Sequence, residues 1–385
     1  MEYMDNREVL HKEFVEQKKI LENVDVLILF GKTVLNVMII NVLREIGFGN
    51  INIKIFDKKK FEDGYKLCKE ERKMIILCAM RKKVLRSMEE DCKNIFPGIP
   101  FFDSFAIYFH WVTTYCFRDC DYEVLADTLM DVRRENVIHG IDCINTTFCN
   151  MNCEECSNGI PLRKVRKHIS NEIIVSSIEK VTNIKSLCNC NIQGGEAFLN
   201  TNLTDLISQI SQNPRIAFIT LATNGTITPT EECVMAMKKA GVLIRISDYG
   251  ELSKKKNEIK SLVAERYVPC DGYARAERWS SYGNFYDRRR SERENCDIAS
   301  KCFFGTNDLM LYDGKLFCCC RTLYAEGMGV ENEIIKDNVI DLQSMKDSNK
   351  LLDVINGKYL HKMCDYCDFP MQEIVPGKQG ERYEK

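Results

Sequence analysis

The sequence lacks any apolar stretch long enough to cross a bilayer. Its most apolar long uncharged run, Ser104 to Phe117, has 14 residues and includes His110, short of the roughly 18 or more that a membrane helix needs. A secretory leader is not expected either. The opening MEYMDNREVLHKEF mixes acidic and basic residues without an apolar core, so a cytoplasmic protein with no membrane partner is expected. Charge of one sign is not in excess: 54 Lys and Arg nearly balance 56 Asp and Glu, a net of −2. Such totals draw no nucleic acid. Histidine is scarce, with five residues and no i, i+4 pair or metal-like spacing, so imidazole ligation is not expected. The chain is 45% hydrophobic and 29% charged, which excludes disorder and fibrous repeats.

Cysteine is what the chain has in abundance, with 20 residues. That is about 5% of the chain, below the roughly 8–10% of a disulfide scaffold. In a large protein of a reducing compartment, metal ligation or thiol chemistry is the better expectation.

The 385 residues are enough for two or three domains. A helix over about Arg7 to Leu21 leads into apolar runs at 24–31, 51–56 and 74–77, separated by helical stretches. That is the pattern of a small parallel sheet, and a Rossmann-like domain is expected over 1–128. Its first turn, Gly31-Lys-Thr-Val-Leu-Asn36, keeps only one glycine of a GxGxxG fingerprint. Asp57 stands where a ribose-binding acid would sit, but packing or substrate docking is expected instead of dinucleotide binding.

From Val137 the chain restarts. Strands are expected at 137–144, 187–193, 216–222, 242–247 and 266–268, with helices near 171–181, 202–210, 229–240 and 253–265. Leu203, Leu206, Ile207 and Ile210 give one apolar helix face. The fold class is therefore α/β, a partial (β/α)6 barrel over 137–290 whose chemistry belongs at the C-terminal strand ends.

After the first of these strands comes Cys149-Asn-Met-Asn-Cys153-Glu-Glu-Cys156. Three thiolates on one loop can face a common centre, whereas zinc or a fully ligated iron–sulfur cluster wants a fourth ligand. The missing ligand suggests a cluster with one iron open to a small molecule. The next strand ends in Gly194-Gly195-Glu196, where glycines admit close backbone approach and a carboxylate can hold an ammonium. Thr223-Asn224-Gly225 and Ser247-Asp-Tyr249-Gly250 end the following two strands.

In this order the motifs resemble the radical S-adenosylmethionine (radical SAM) superfamily, over roughly Val137 to Pro269. The resemblance implies that Cys149, Cys153 and Cys156 ligate three irons of a [4Fe–4S] cluster and that SAM chelates the fourth. It implies that Gly194, Gly195 and Glu196 hold the SAM amino group, and that Thr223, Asn224 and Ser247 contact ribose or carboxylate. Glu155 stands where the family usually has an aromatic residue.

Beyond Pro269, Cys302 is followed by Gly314 and Cys319, and then by Cys364-Asp-Tyr-Cys367. This spacing resembles the twitch subtype of the SPASM auxiliary-cluster domain, expected over 291–385. It implies a second [4Fe–4S] cluster held by Cys302, Cys319, Cys364 and Cys367, with structural zinc the competing occupant. Alternation along Leu316–Cys320 is expected to turn Cys318 and Cys320 away from Cys319. Cys320 is then a candidate hydrogen-atom donor, its pKa lowered by Arg321, and Tyr249 is the second candidate catalytic side chain. The Arg288-Arg-Arg290 run is expected to be a solvated, self-paired face.

The expected activity is that of an oxidoreductase or epimerase. It would use a 5′-deoxyadenosyl radical from SAM on a sugar or nucleotide-linked substrate, with a peptide substrate or a non-catalytic thiolate–metal protein as alternatives. A flavodoxin or ferredoxin is the expected electron donor.

Overall fold

The structure is a computed structural model that describes residues 5–30, 34–56, 72–77, 82–271, 279–302, 308–330, 333–345, 348–356 and 361–380. Helix α1 (Asn6–Leu21) begins where the Asp5 carboxylate accepts from the Glu8 N–H, an N-cap that satisfies an otherwise orphaned donor. Strands β1 (Val26–Phe30), β2 (Asn52–Phe56), β3 (Lys73–Leu77) and β4 (Phe101–Asp103) form a parallel sheet in the order β2-β1-β3-β4. The sequence signalled the first three. The fourth is three residues long, too short for a period to register. Gly31, Asp57, Cys68 and Cys78 lie outside the described residues.

Helices α2 (Val34–Leu43), α3 (Lys82–Ile95), α4 (Phe105–Trp111) and α5 (Tyr122–Arg134) complete this region. The apolar run noted in the sequence is α4 and the π-helical turn that continues it, Val112–Cys116. A helix apolar all round must be buried all round, and Phe105, Tyr108, Trp111 and Val112 are.

The second sheet explains what buries them. Strands β5 (Ile138–Thr146), β6 (Leu187–Gly194), β7 (Ile216–Thr223), β8 (Leu243–Ile246) and β9 (Cys270–Asp271) lie parallel and in sequential order, joined through α6 (Asn171–Thr182), α7 (Leu203–Ser211), α8 (Glu231–Ala240) and α9 (Lys256–Glu265). The strand expected at 266–268 is displaced. Tyr267 takes a left-handed φ of 54°, which breaks the extended run, and Cys270 and Asp271 pair with Ile244 and Arg245 instead.

One apolar cluster joins Leu27, Tyr108, Trp111 and Leu129 to Val137, Cys188, Ala217, Phe218 and Leu243. These last five stand at the starts of β5 to β8. The N-terminal region therefore closes the N-terminal ends of the parallel strands, opposite the ends that carry the motifs. Polar contacts reinforce the join: the Tyr108 hydroxyl donates to the Ala217 carbonyl at 2.9 Å, and buried Arg118 donates to the Ser211 and Asn213 carbonyls at 2.7 and 2.8 Å. The boundary expected at 128 falls inside α5, whose buried face continues through Leu129 and Val132.

The C-terminal region holds β10 (Trp279–Ser281), α10 (Glu292–Lys301), β11 (Asp308–Tyr312), β12 (Lys315–Phe317), α11 (Cys320–Gly327), α12 (Glu333–Asp337), β13 (Val339–Asp341), α13 (Asn349–Ile355) and β14 (Gln372–Ile374). Strand β11 pairs parallel with β5, and β12 and β13 follow antiparallel, so the large sheet runs β13-β12-β11-β5-β6-β7-β8-β9. The region expected from 291 onward thus shares a sheet and a core with 137–290. Gly140 is needed at this junction because the Asp308 carboxylate occupies the space a Cβ would take.

Candidate active site

The C-terminal ends of β5, β6, β7 and β8 meet around the cysteine loop. The Gly195 N–H donates to the Thr146 carbonyl at 2.8 Å and the Glu196 N–H to the Phe148 carbonyl at 2.9 Å. A Cβ on Gly194 or Gly195 would strike those same carbonyl oxygens. The glycines therefore bring the end of β6 against the cysteine loop itself, a closer approach than any side chain allows.

Glu196 is fully buried. Its carboxylate accepts from the Thr223 hydroxyl (2.8 Å), the Asn224 N–H (2.8 Å) and the Phe198 N–H (3.2 Å). Burial pushes its carboxyl up to about 7 against the pull of those donors. The sequence reading paired this carboxylate with an ammonium. In the structure it is engaged by the end of β7, and it fixes Thr223 and Asn224 in place. The Asn224 side-chain amide in turn donates to Asn150 at 3.0 Å and lies 3.8 Å from the Cys149 sulfur. The Ser247 N–H donates to the Thr223 carbonyl at 2.8 Å, which ties β8 to the same corner. Sequence reasoning missed Ser253: its buried hydroxyl donates to the Asn224 carbonyl at 2.7 Å and accepts from the Tyr249 N–H at 2.8 Å. Tyr249 stands edge-on to Trp279, with centroids 5.6 Å apart.

The three loop thiols sense one another electrostatically, and burial pushes Cys149 up to about 12 and Cys153 up to about 11. Left alone they would stay protonated at neutral pH. Ligation by iron would displace those protons. The surroundings favour a thiolate in part, since the backbone of Ile160, Asn158 and Gly159 pulls the Cys156 thiol down while burial pushes it up. N–H groups aimed at sulfur are how proteins hold iron–sulfur clusters and tune them. The donor set fits such a cluster.

Residues 144–247 match the radical SAM superfamily. That match implies a [4Fe–4S] cluster and SAM as cofactors, and it spans the cysteine loop, the Gly-Gly-Glu corner and Ser247. No curated protein matches the chain. Among solved structures, the chain is similar to the crystal structure of BtrN in complex with AdoMet and 2-DOIA at 15% identity, with a TM-score of 0.39, covering 61% of this chain and 94% of that one. It is also similar to anSMEcpe with bound AdoMet at 13% identity, with a TM-score of 0.36, covering 57% and 82%.

Outside the radical SAM segment, the four C-terminal cysteines lie near enough to influence one another electrostatically. The thiols of Cys319, Cys364 and Cys367 are each raised first by burial and then by neighbours within the set, Cys302 among them in every case. Among the described residues, no three His, Cys, Asp or Glu side chains close on a single metal-ion position.

Two expectations are corrected here. Strand alternation does not govern Cys318 to Cys320, because β12 ends at Phe317 and Cys320 opens α11 with Cys319 as its extended N-cap. Cys320 is buried, and burial pushes its thiol far above the ordinary value against the pull of the neighbouring Tyr282 hydroxyl. Arg321 does not lower that pKa, since its guanidinium donates to the Tyr366 and Gly283 carbonyls at 3.0 and 2.7 Å. The arginine run is not a solvated face either. Arg288 pairs with Asp368 at 2.6 Å, and Arg290 donates to the Cys364 and Cys367 carbonyls at 2.9 and 2.8 Å. The fixed fork of a guanidinium suits such a clasp, and here it holds the CxxC turn.

Proposed function

We propose that the protein is a radical SAM enzyme with two [4Fe–4S] clusters on a partial barrel. Cys149, Cys153 and Cys156 hold the cluster that binds SAM, and Cys302, Cys319, Cys364 and Cys367 hold an auxiliary cluster in a twitch-like region. The observation that carries this reading is the joining of the three-thiol loop to the Gly194-Gly195-Glu196 corner, with the Asn224 amide reaching the Cys149 sulfur. When bound, the first cluster and SAM supply a 5′-deoxyadenosyl radical that takes a hydrogen atom from an unactivated C–H bond. The chain's part is to place that bond and exclude side reactions.

A sugar or nucleotide-linked substrate is favoured over a peptide by the polar row beneath the site. Asp142, Asn191 and Thr220 are register partners across β5, β6 and β7. The Asn191 amide donates to Asp142 at 2.6 Å, the Thr220 hydroxyl to Asn191 at 2.9 Å and the Asn189 amide to Thr220 at 3.1 Å. Oxidation is favoured over return of a hydrogen atom by Cys320, because that thiol is buried against Tyr282. Tyr249 is the side chain proposed to meet the substrate.

With a strong reductant, the reconstituted protein should convert SAM to 5′-deoxyadenosine without substrate. Failure to do so with both clusters in place would refute the reading. With substrate in deuterated water, a product two hydrogens lighter supports oxidation, whereas an epimer carrying solvent deuterium supports a thiol donor.

A further inference from the structure

The chain returns to the cysteine loop from its far end. After β14, which pairs antiparallel with β10, residues 377–380 run alongside the loop as a short antiparallel bridge, Gln379 opposite Cys153. The Glu154 N–H donates to the Lys378 carbonyl at 2.9 Å and the Gly380 N–H to the Asn152 carbonyl at 2.8 Å. The Asn152 N–H donates to the Gln379 side-chain oxygen at 2.7 Å, and the Gln379 amide nitrogen lies 3.4 Å from the Cys153 sulfur. Lys378 pairs with Glu154 at 2.8 Å. Gly377 takes a left-handed φ of 66° and lies so close to the Tyr249 ring that a Cβ would crowd it. On the other side of the loop, the Ser281 hydroxyl of β10 donates to Glu155 at 3.0 Å. Both strands of the β10–β14 ribbon therefore lead into contacts with the cysteine loop.

We infer that Gly377–Gly380 is a strap built into the first cluster site, and that Gln379 is a positioning residue. Its side chain bridges the loop backbone at Asn152 to the Cys153 sulfur. The inference rests on the proposal that this loop carries a cluster. An N–H donor on a ligating sulfur stabilises the more negative, reduced cluster and so raises its reduction potential. Partners of this kind also orient the ligand. The isosteric Gln379→Glu replaces the donor with a carboxylate facing a thiolate, which opposes reduction. Gln379→Leu keeps similar bulk and removes all three side-chain contacts, to the Asn152 N–H, the Cys153 sulfur and the Gly377 carbonyl, to which the amide donates at 2.6 Å. Gln379 is solvent-exposed, so neither change threatens the fold.

Full-length wild type, Gln379→Leu and Gln379→Glu, each anaerobically reconstituted, are compared by iron content and by redox titration followed by electron paramagnetic resonance. The expected result is unchanged iron per chain, with one of two cluster signals moved to lower potential in Gln379→Leu and further in Gln379→Glu. Trypsin supplies an independent readout at Lys378. Cleavage there should be several-fold slower in the wild type than in the variant with Cys149, Cys153 and Cys156 all changed to Ala, because the cluster orders the loop that the strap pairs with. Unchanged potentials in both Gln379 variants, or equal cleavage in the two proteins, would overturn the inference. A triple cysteine variant that keeps its full iron would overturn the underlying cluster assignment instead.

Discussion

A protein lacking residues 1–134 is expected to be insoluble. The sequence invites the opposite expectation, because every motif of the chemistry lies beyond Val137 and the preceding region reads as a domain of its own. The structure shows why the two do not separate. Val137, Phe218 and Leu243, with Cys188 and Ala217, are buried against α4, α5 and their neighbours. Exposing side chains of that size costs about 1.5–3 kcal/mol each. Three of them alone sum to the order of the whole stability of a domain, about 5–15 kcal/mol. The carbonyls held by Arg118 lose their partner as well. The same placement removes the N-terminal sheet from the role of docking substrate at the motifs, since it packs at the other ends of the strands. Expression of residues 135–385 with size-exclusion chromatography checks this. A soluble, monodisperse fragment with a cooperative thermal transition would show that the join is dispensable.

Glu196→Ala is expected to abolish SAM binding and to destabilise the protein by about 3 kcal/mol or more. Two buried donors and a half-buried one lose their acceptor, and each unsatisfied buried donor costs about 1–3 kcal/mol. The damage reaches the site through Thr223 and Asn224, whose positions Glu196 sets. Thr223→Val, which deletes one of the three hydrogen bonds and leaves the carboxylate, should give a smaller loss of both stability and SAM affinity. Isothermal titration with SAM and denaturant unfolding measure the two effects. A Glu196→Ala protein of normal stability that binds SAM normally would refute the role assigned to this carboxylate.

Much of this site is legible in the chain because it is written locally. Strands β5 to β8 are apolar runs that stop at polar or glycine-rich turns, and the cysteine loop and Gly-Gly-Glu corner follow two of those stops. What the sequence hides depends on the fold. The separation of 226 positions between Cys153 and Gln379 leaves no local signal that one side chain attends the other. A carboxylate at a strand end gives no local sign that the protein's own donors engage it, as those of Thr223, Asn224 and Phe198 engage Glu196. The run Cys318 to Cys320 looked like continued strand because small thiols suit either state. The chain turns into α11 there, and Cys320 is taken up by the core. The apolar run at 104–117 showed that something buries it, but not that it plugs the foot of a second sheet. The arginine run reads as surface because its acidic neighbours suggest self-pairing, whereas Arg288 and Arg290 also reach Asp368 and the Cys364 and Cys367 carbonyls, more than seventy residues away.

The proposal that two separate cysteine sets each carry a [4Fe–4S] cluster meets its sharpest test in the iron content of the variant with Cys149, Cys153 and Cys156 all replaced by Ala. After anaerobic reconstitution the wild type should hold about eight irons per chain and the variant about four, with brown colour retained from the second set. A variant that keeps the full iron of the wild type would contradict the account.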